Sequence, residues 1–279
     1  MTTPHLATLH AGQLPAAVEL SKALRWPYRE ADWRFALSLG KGFAMQVGDR
    51  LVGTALWWAF GTTHASVGMI IVAADMQGRG LGRELTGALL RAAADRTVML
   101  NATAEGLGLY GQLGFVECGQ IRQHQAVLHA TSALPERSGV VVRPMHAEEL
   151  QALQTLDALA SGMDRSALLA ALSEAGEIVV CERRGGIRGY ACMRDFGHGT
   201  VIGPVVAEDP VDARTLIAAL ASRREGRFVR VDVPALSGLS PWLSGIGLPM
   251  VGQAVTMRRG ATPRSADARV FALSNQSLG

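Results

Sequence analysis

Apolar positions along the first half switch between two periods. Over residues 13–24, Leu14, Ala17, Val18 and Leu24 fall on one side at helical spacing, which predicts a helix. "ADWRFALSL" (31–39) is a second short helical stretch, with Gly40 as its stop. Period two then takes over. "GFAMQV" and "RLVGTALWWAF" read as strands joined by a Gly48-Asp49 turn. "ASVGMIIVA" is a third strand. "GRELTGALLRAAA" is a helix turning Leu85, Leu89 and Ala92 inward, and "TVMLNAT" is another strand. A glycine-interrupted helix, "EGLGLYGQLG", and the closing strands of "FVECGQIRQHQAVL" complete the half, with a short first strand expected at "LATLH". Strands outnumber helices and are partly hairpin-linked. The fold class is therefore α/β (α+β), with a mixed, largely antiparallel sheet flanked by helices.

The pattern then recurs. "HASVGMIIVAAD" (64–75) lies against "HGTVIGPVVAED" (198–209) at a constant offset of 134. "RTVMLNAT" (96–103) meets "RFVRVDVP" (227–234) at an offset of 131. The three missing residues come from one loop, where "DMQGRGLGRELTGAL" becomes "DPVDARTLIAAL". Duplication followed by loss of that loop is the simplest account. It divides the chain into residues 1–130, residues 139–260 and a tail, 261–279. "HATSALPERSG" (129–139) reads as the linker. The tail is polar, with disorder expected in part and a short added strand at "RVFAL" (269–273).

The loop kept by the first half, "QGRGLG" (77–82), sits between a strand and a helix. Glycines permit positive φ and close backbone approach, and a helix start directs N–H groups and a positive dipole end at one point. Arg79 and Arg83 add charge. The sum suits a pyrophosphate; the plainer reading is a tight turn that lets the helix pack. No G-K-[ST] follows, so it is not a P-loop. Arg83 stands where a dinucleotide fingerprint needs its last glycine.

Gln77-Gly78-Arg79-Gly80-Leu81-Gly82, followed by Asn101 at a strand end and by Tyr110-Gly111-Gln112-Leu113-Gly114-Phe115, resembles the GNAT superfamily of acyl-CoA N-acyltransferases. The family pattern is Q/R-x-x-G-x-G/A after a strand ending V-x-P, then Y-x-x-x-G-F. Val72 matches, whereas Ala74 replaces the proline. The likeness covers residues 1 to about 128, and the repeat makes the whole resemble a tandem GNAT with a degenerate second copy. The resemblance implies acetyl-CoA as co-substrate and no metal. Val72, Gln77, Gly78, Arg79, Gly80, Gly82, Arg83 and Asn101 would hold the cofactor, and Tyr110 would act as general acid. Asn101 reads equally well as an ordinary strand-end residue, and Tyr110 also as a partly buried aromatic. The general base is open: "ASVGMIIVA" has no carboxylate, and Glu105, Asp75 and His64 are the substitutes. One of Trp57 and Trp58 is expected in core and the other at an acceptor pocket, because strand side chains alternate. In the second half Pro210 replaces the loop and Trp242 or Leu243 the tyrosine, so no acyl-CoA is expected there. Asp157, Asp164 and Arg165 would either face a cationic acceptor or, for Asp164, cap a helix.

Composition narrows this little further. A net charge of +3 without a basic block argues against nucleic acid. Cys118, Cys181 and Cys192 form no C-x-x-C pair, and a cytoplasmic location is expected. The longest apolar run falls below the roughly 18 residues a membrane span needs. The expected partner is a small-molecule amine, and a homodimer is compatible with that. The expected activity is acetyl transfer to a primary amine; the alternative is a non-catalytic acyl-CoA-binding or sensing module.

Overall fold

The computed structural model describes residues 3–129, 139–261 and 269–279. Residues 130–138, where the linker is expected, and 262–268 of the tail lie outside the described residues. The first half runs β1 (His5–Thr8), α1 (Leu14–Ala23), α2 (Glu30–Leu39), β2 (Lys41–Val47), β3 (Arg50–Phe60), β4 (His64–Val72), α3 (Leu81–Ala93), β5 (Thr97–Ala102), α4 (Leu107–Gln112) and β6 (Val116–Val127). The second half repeats it as β7 (Val140–Pro144), α5 (Leu150–Ser161), α6 (Ser166–Ala175), β8 (Gly176–Arg183), β9 (Gly186–Phe196), β10 (Gly199–Ala207), α7 (Pro210–Ala221), β11 (Phe228–Pro234), α8 (Ser240–Gly245) and β12 (Met250–Arg259). One strand, β13 (Arg269–Ala272), has no counterpart in the first half.

All of these strands join one sheet, ordered β1-β2-β3-β4-β5-β12-β6-β11-β10-β9-β8-β7, with β13 beside β10. Read from either end, the order is the same except that the two halves have exchanged their final strands. β12 pairs antiparallel with β5, Val255 opposite Ala102. β6 pairs with β11, Phe228 opposite Val127 through Pro234 opposite Ile121. The break in sequence near residues 130–138 is therefore not a break in the sheet.

Helices cover the faces as the apolar stripes require. α3 buries Leu85 and Leu89 against Val52, Ala65 and Val98. α1 and α2 share the opposite core with α6: Leu14, Val18 and Trp33 pack with Leu168 and Leu172. Two positions differ from the predicted stripes. Leu24 lies past the end of α1 and is 38% exposed. Ala93 rather than Ala92 is buried on α3, because the packed row includes Leu85 and Leu89 and turns slightly toward Ala93.

The tail forms the short strand expected at 269–273, β13, but its polar residues depart from expectation. From Phe271 to Leu278 every residue except Gln276 is buried. Asn275 and Ser277 are bonded inside the protein, as burial demands, whereas the buried Ser274 hydroxyl has no hydrogen-bond partner among the described residues.

Candidate functional site

β4 meets β5 in parallel only at one end, His64–Ser66 against Thr97–Met99. Beyond Ser66 the two strands part, and no other described strand takes the β5 side of β4. Toward β3 the pairing continues but slips. Thr54 faces Ile71 and Leu56 faces Gly68, so Met69 and Ile70 share the single residue Ala55. This is a β-bulge. Met69 has φ 51°. Left-handed backbone costs a non-glycine residue about 1–2 kcal/mol, and it persists where neighbours fix it. Here the Thr54 hydroxyl donates to the Met69 carbonyl at 2.9 Å, fully buried.

At its far end β4 leads through a short 3-10 turn, Ala74–Met76, into the glycine loop. Gly78 and Gly80 adopt φ 73° and 80°. An added Cβ at either would find nothing within 4 Å. These glycines therefore serve the left-handed backbone and leave its outer side open. Gly80 is the N-cap of α3 and brings no side chain to cap it, so the first amides of the helix remain available. The backbone cradle thus fits a pyrophosphate. Its frame is braced: Gln77 Nε2 donates to the Val72 carbonyl at 3.1 Å, and Arg79 reaches the Asp75 carbonyl at 3.3 Å. Arg50 clamps the Asp75 carboxylate with bonds of 2.7 and 2.8 Å, which holds that acid below its usual range. Arg83 donates to Gln112 on α4. A Cβ on Gly82 would stand 3.3 Å from Leu109, also on α4. The second motif is thereby packed directly on the first.

Tyr110 lies on α4, in T-shaped contact with Phe115 at 6.0 Å and in the core shared with Ile70 and Val72. Gly106 is needed beneath it, since a Cβ there would meet the ring at 2.7 Å. Burial pushes the phenol up to about 12. At neutral pH it holds its proton and can give it away, but it cannot act as a base.

Asn101 stands at the end of β5, one residue before its last, as the sequence reading expects, and both ends of its amide are taken. Nδ2 donates to the Gln276 carbonyl at 2.8 Å, and Oδ1 accepts from Thr256 at 2.8 Å. The substitutes for a strand carboxylate are each occupied. Asp75 is clamped by Arg50. Glu105 is held low by its own backbone N–H and by Thr103. His64 bonds Thr63 at 2.9 Å, and burial lowers its affinity for protons. Trp58 is core, donating to the Ala36 carbonyl at 2.7 Å. Trp57 lines a separate groove with Leu37 and Lys41. Asp157 and Arg165 do not face an acceptor. They pair with each other, buried to 1% exposure, and the Tyr190 hydroxyl donates to Asp157 at 2.5 Å. Asp164 accepts the Ser166 N–H at 3.1 Å, but the N-cap of α6 is Arg165, so Asp164 sits one residue before the expected capping position.

A pocket of about 430 Å³ opens beside Asn101 between the halves. Phe60, Met99, Ile121, Met163 and Leu273 give it an apolar lining, with no carboxylate side chain among the described residues around it. Among the described residues no group of three or more His, Cys, Asp or Glu side chains gathers as a metal site would need. No helix among them is long and apolar enough to cross a membrane. The sequence reading missed the Thr54–Met69 brace and the tail contacts. Its one local sign was the Gly203-Pro204 pair, which stands at the bulge's repeat position.

Comparison with known proteins agrees with this geometry. Residues 30–132 and 153–272 each match a model of the acetyltransferase (GNAT) domain. The chain is 27% identical over 235 residues to the uncharacterized N-acetyltransferase YitH of Bacillus subtilis (strain 168), covering 82% of both chains. It is 25% identical over 220 residues to holothin acyltransferase of Pseudoalteromonas sp. (strain SANK 73390), covering 77% of this chain and 74% of that one. A Pyrococcus horikoshii protein solved as a candidate acetyltransferase superposes with a TM-score of 0.82 at 19% identity, over 99% of this chain and 96% of that one. A tandem GNAT protein from the clavulanic acid biosynthesis pathway gives 0.65 at 14%, over 93% and 100%. Two matched domains, a duplicated topology and a bulged, parted strand pair with its glycine loop lead to one conclusion: the chain belongs to the GNAT acetyltransferases, in the tandem arrangement.

Proposed function

We propose that the first half, residues 1–130, transfers acetyl from acetyl-CoA to the primary amine of a small molecule, and that the second half, residues 139–260, binds no acyl-CoA. The observation that carries this is the continuity of the opening between β4 and β5, which runs from an uncapped glycine cradle to a braced bulge. Gly78, Gly80, Gly82 and the start of α3 would hold the pyrophosphate, with Arg79 and Arg83 beside it. The unpaired edge of β4 from the bulge to Val72 offers backbone groups to the pantetheine arm. The bound cofactor supplies an activated thioester. The backbone N–H groups of the bulge would serve as donors for the acyl oxygen. Tyr110 holds a proton for the departing sulfur. Asn101 acts through the tail it binds rather than as an open cofactor contact.

Among the described residues no carboxylate side chain lines the pocket beside Asn101, and the substitutes are occupied. The acceptor is therefore read as a small amine with an apolar body that reacts in its neutral form. Three free cysteines are compatible with a reducing, cytoplasmic setting.

Isothermal titration with acetyl-CoA, followed by a screen of small amines for CoA release, tests the proposal. One-to-one binding and turnover with at least one amine are expected. Absence of binding at high micromolar acetyl-CoA would sink it, and a stoichiometry of two would sink the assignment of the second half.

A further inference from the structure

The second half keeps a parted strand pair of its own. β10 meets β11 in parallel at Thr200 and Val201 only, and its bulge falls between Ile202 and Val205, the repeat of the Met69 bulge. This opening is filled. β13 runs antiparallel to β10, with Val205 opposite Ala272 and Ala207 opposite Arg269. On the other side the Leu273 N–H donates to the Asp232 carbonyl of β11 at 2.9 Å. At Gly203, the counterpart of Met69, an added Cβ would fall 1.8 Å from the Leu273 carbonyl oxygen. A bare backbone is required for the tail to pass.

The chain then crosses to the first half and stops where β4 and β5 begin to part. Ser66, the last paired residue of β4, donates its hydroxyl to the Ser277 carbonyl at 2.6 Å. Asn101 donates to the Gln276 carbonyl. Ser277 packs on the backbone of Gly68, where a Cβ would come within 3.0 Å of it, and its hydroxyl meets that of Tyr28 at 3.2 Å. The turn is internally tied, since Asn275 Oδ1 accepts the N–H groups of Ser277 and Leu278 at 2.8 Å each.

Resting on the acetyl-CoA reading above, we propose that Gln276 and Ser277 close the inner end of the acyl slot and set the size of acyl group it accepts, with β13 anchoring them in the second half's filled opening. Gly68 adjoins the bulge, so an acyl chain extended past the bulge toward Ser66 runs into Ser277. Asn101 is on this account a positioning residue for the tail. The degenerate half acquires a role: it holds the strand that finishes the active half.

The test compares affinities for acetyl-CoA, butyryl-CoA and CoA by isothermal titration, using the full chain, Ser277→Gly, Asn101→Ala and a chain ending at Leu273. The full chain should bind butyryl-CoA at least tenfold more weakly than acetyl-CoA, within the about 10–200-fold that one methylene can carry. The three variants should reduce that ratio by about tenfold while affinity for CoA stays within twofold. Should the shortened chain not fold, Ser277→Gly, which removes only a hydroxymethyl group, decides. An unchanged butyryl-to-acetyl ratio in folded variants would overturn the assignment. No binding of acetyl-CoA by the full chain would instead overturn the reading on which it rests.

Discussion

The helices α3 and α7 begin at equivalent places in the two halves and solve the same problem in opposite ways. α3 starts at Gly80 and leaves its first amides uncapped. α7 starts at Asp209, whose carboxylate accepts the N–H groups of Val211 and Asp212 at 2.8 and 2.9 Å, and Pro210 removes a further donor. One helix spends its terminal donors on itself; the other leaves them without a side-chain cap. On the proposed reading, an anion site is a place where local stabilisation has been withheld. The bulges differ in the same sense. Met69 keeps a strained backbone braced by Thr54 at an opening with no strand in it, while Gly203 accommodates a strand of the protein itself.

The sharpest way to break the comparison is at the acid proposed above, Tyr110. Tyr110→Phe should lower kcat about 10²–10⁴-fold with acetyl-CoA affinity unchanged, whereas Trp242→Phe should alter neither; steady-state CoA release and titration read both. Next come two ion pairs. Asp157→Ala strands a buried arginine and should cost about 3–5 kcal/mol in denaturant unfolding. Asp75→Asn breaks an exposed pair and should leave the same transition unmoved. The helix starts themselves give a smaller, reciprocal pair. Gly80→Ala imposes about 1–2 kcal/mol of backbone strain and should weaken acetyl-CoA about tenfold. Asp209→Ala should cost about 1 kcal/mol of stability and leave acetyl-CoA binding alone; an affinity change there would mean α7 takes part in cofactor binding.

The smallest effect concerns pH. Burial raises the Tyr110 phenol to about 12, so its protonated form persists through the usual assay range. kcat/KM should rise as the acceptor amine loses its proton and show no falling limb below about pH 10. Two amines of different basicity should move the rising limb between them. A limb fixed near neutrality for both would reveal a general base in the protein.

Local chemistry was legible and distant pairing was not. Gln77 to Gly82 could be read because glycine spacing and a following helix are features of adjacent residues. The motif around Tyr110 could be read for the same reason, through its glycines and Phe115, and the structure packs its helix on the glycine loop. The duplication showed because whole strands kept their apolar order. The partners of Asp157 and Arg165 were hidden: eight positions separate them, across a turn between helices, and nothing in the spacing tells a buried pair from a polar face. The tail misled because polar composition usually signals solvent. Ser274, Asn275 and Ser277 are buried instead, with Ser277 and Asn275 bonding Ser66, Tyr28 and the turn itself. The exchange of β6 and β12 left no trace either, since each strand alternates as it would beside its own half.

That exchange has a consequence during synthesis. β6 finds both of its neighbours, β11 and β12, in the second half, and the outer edge of β5 waits for β12. A nascent chain that has emerged through residue 129 carries a twelve-residue strand whose two native neighbours have not yet been made. At about 5–20 residues per second, translation leaves it so for on the order of ten seconds. Over that interval the nascent polypeptide is a natural client for a holding chaperone, and a ribosome paused in the second half would prolong its exposure.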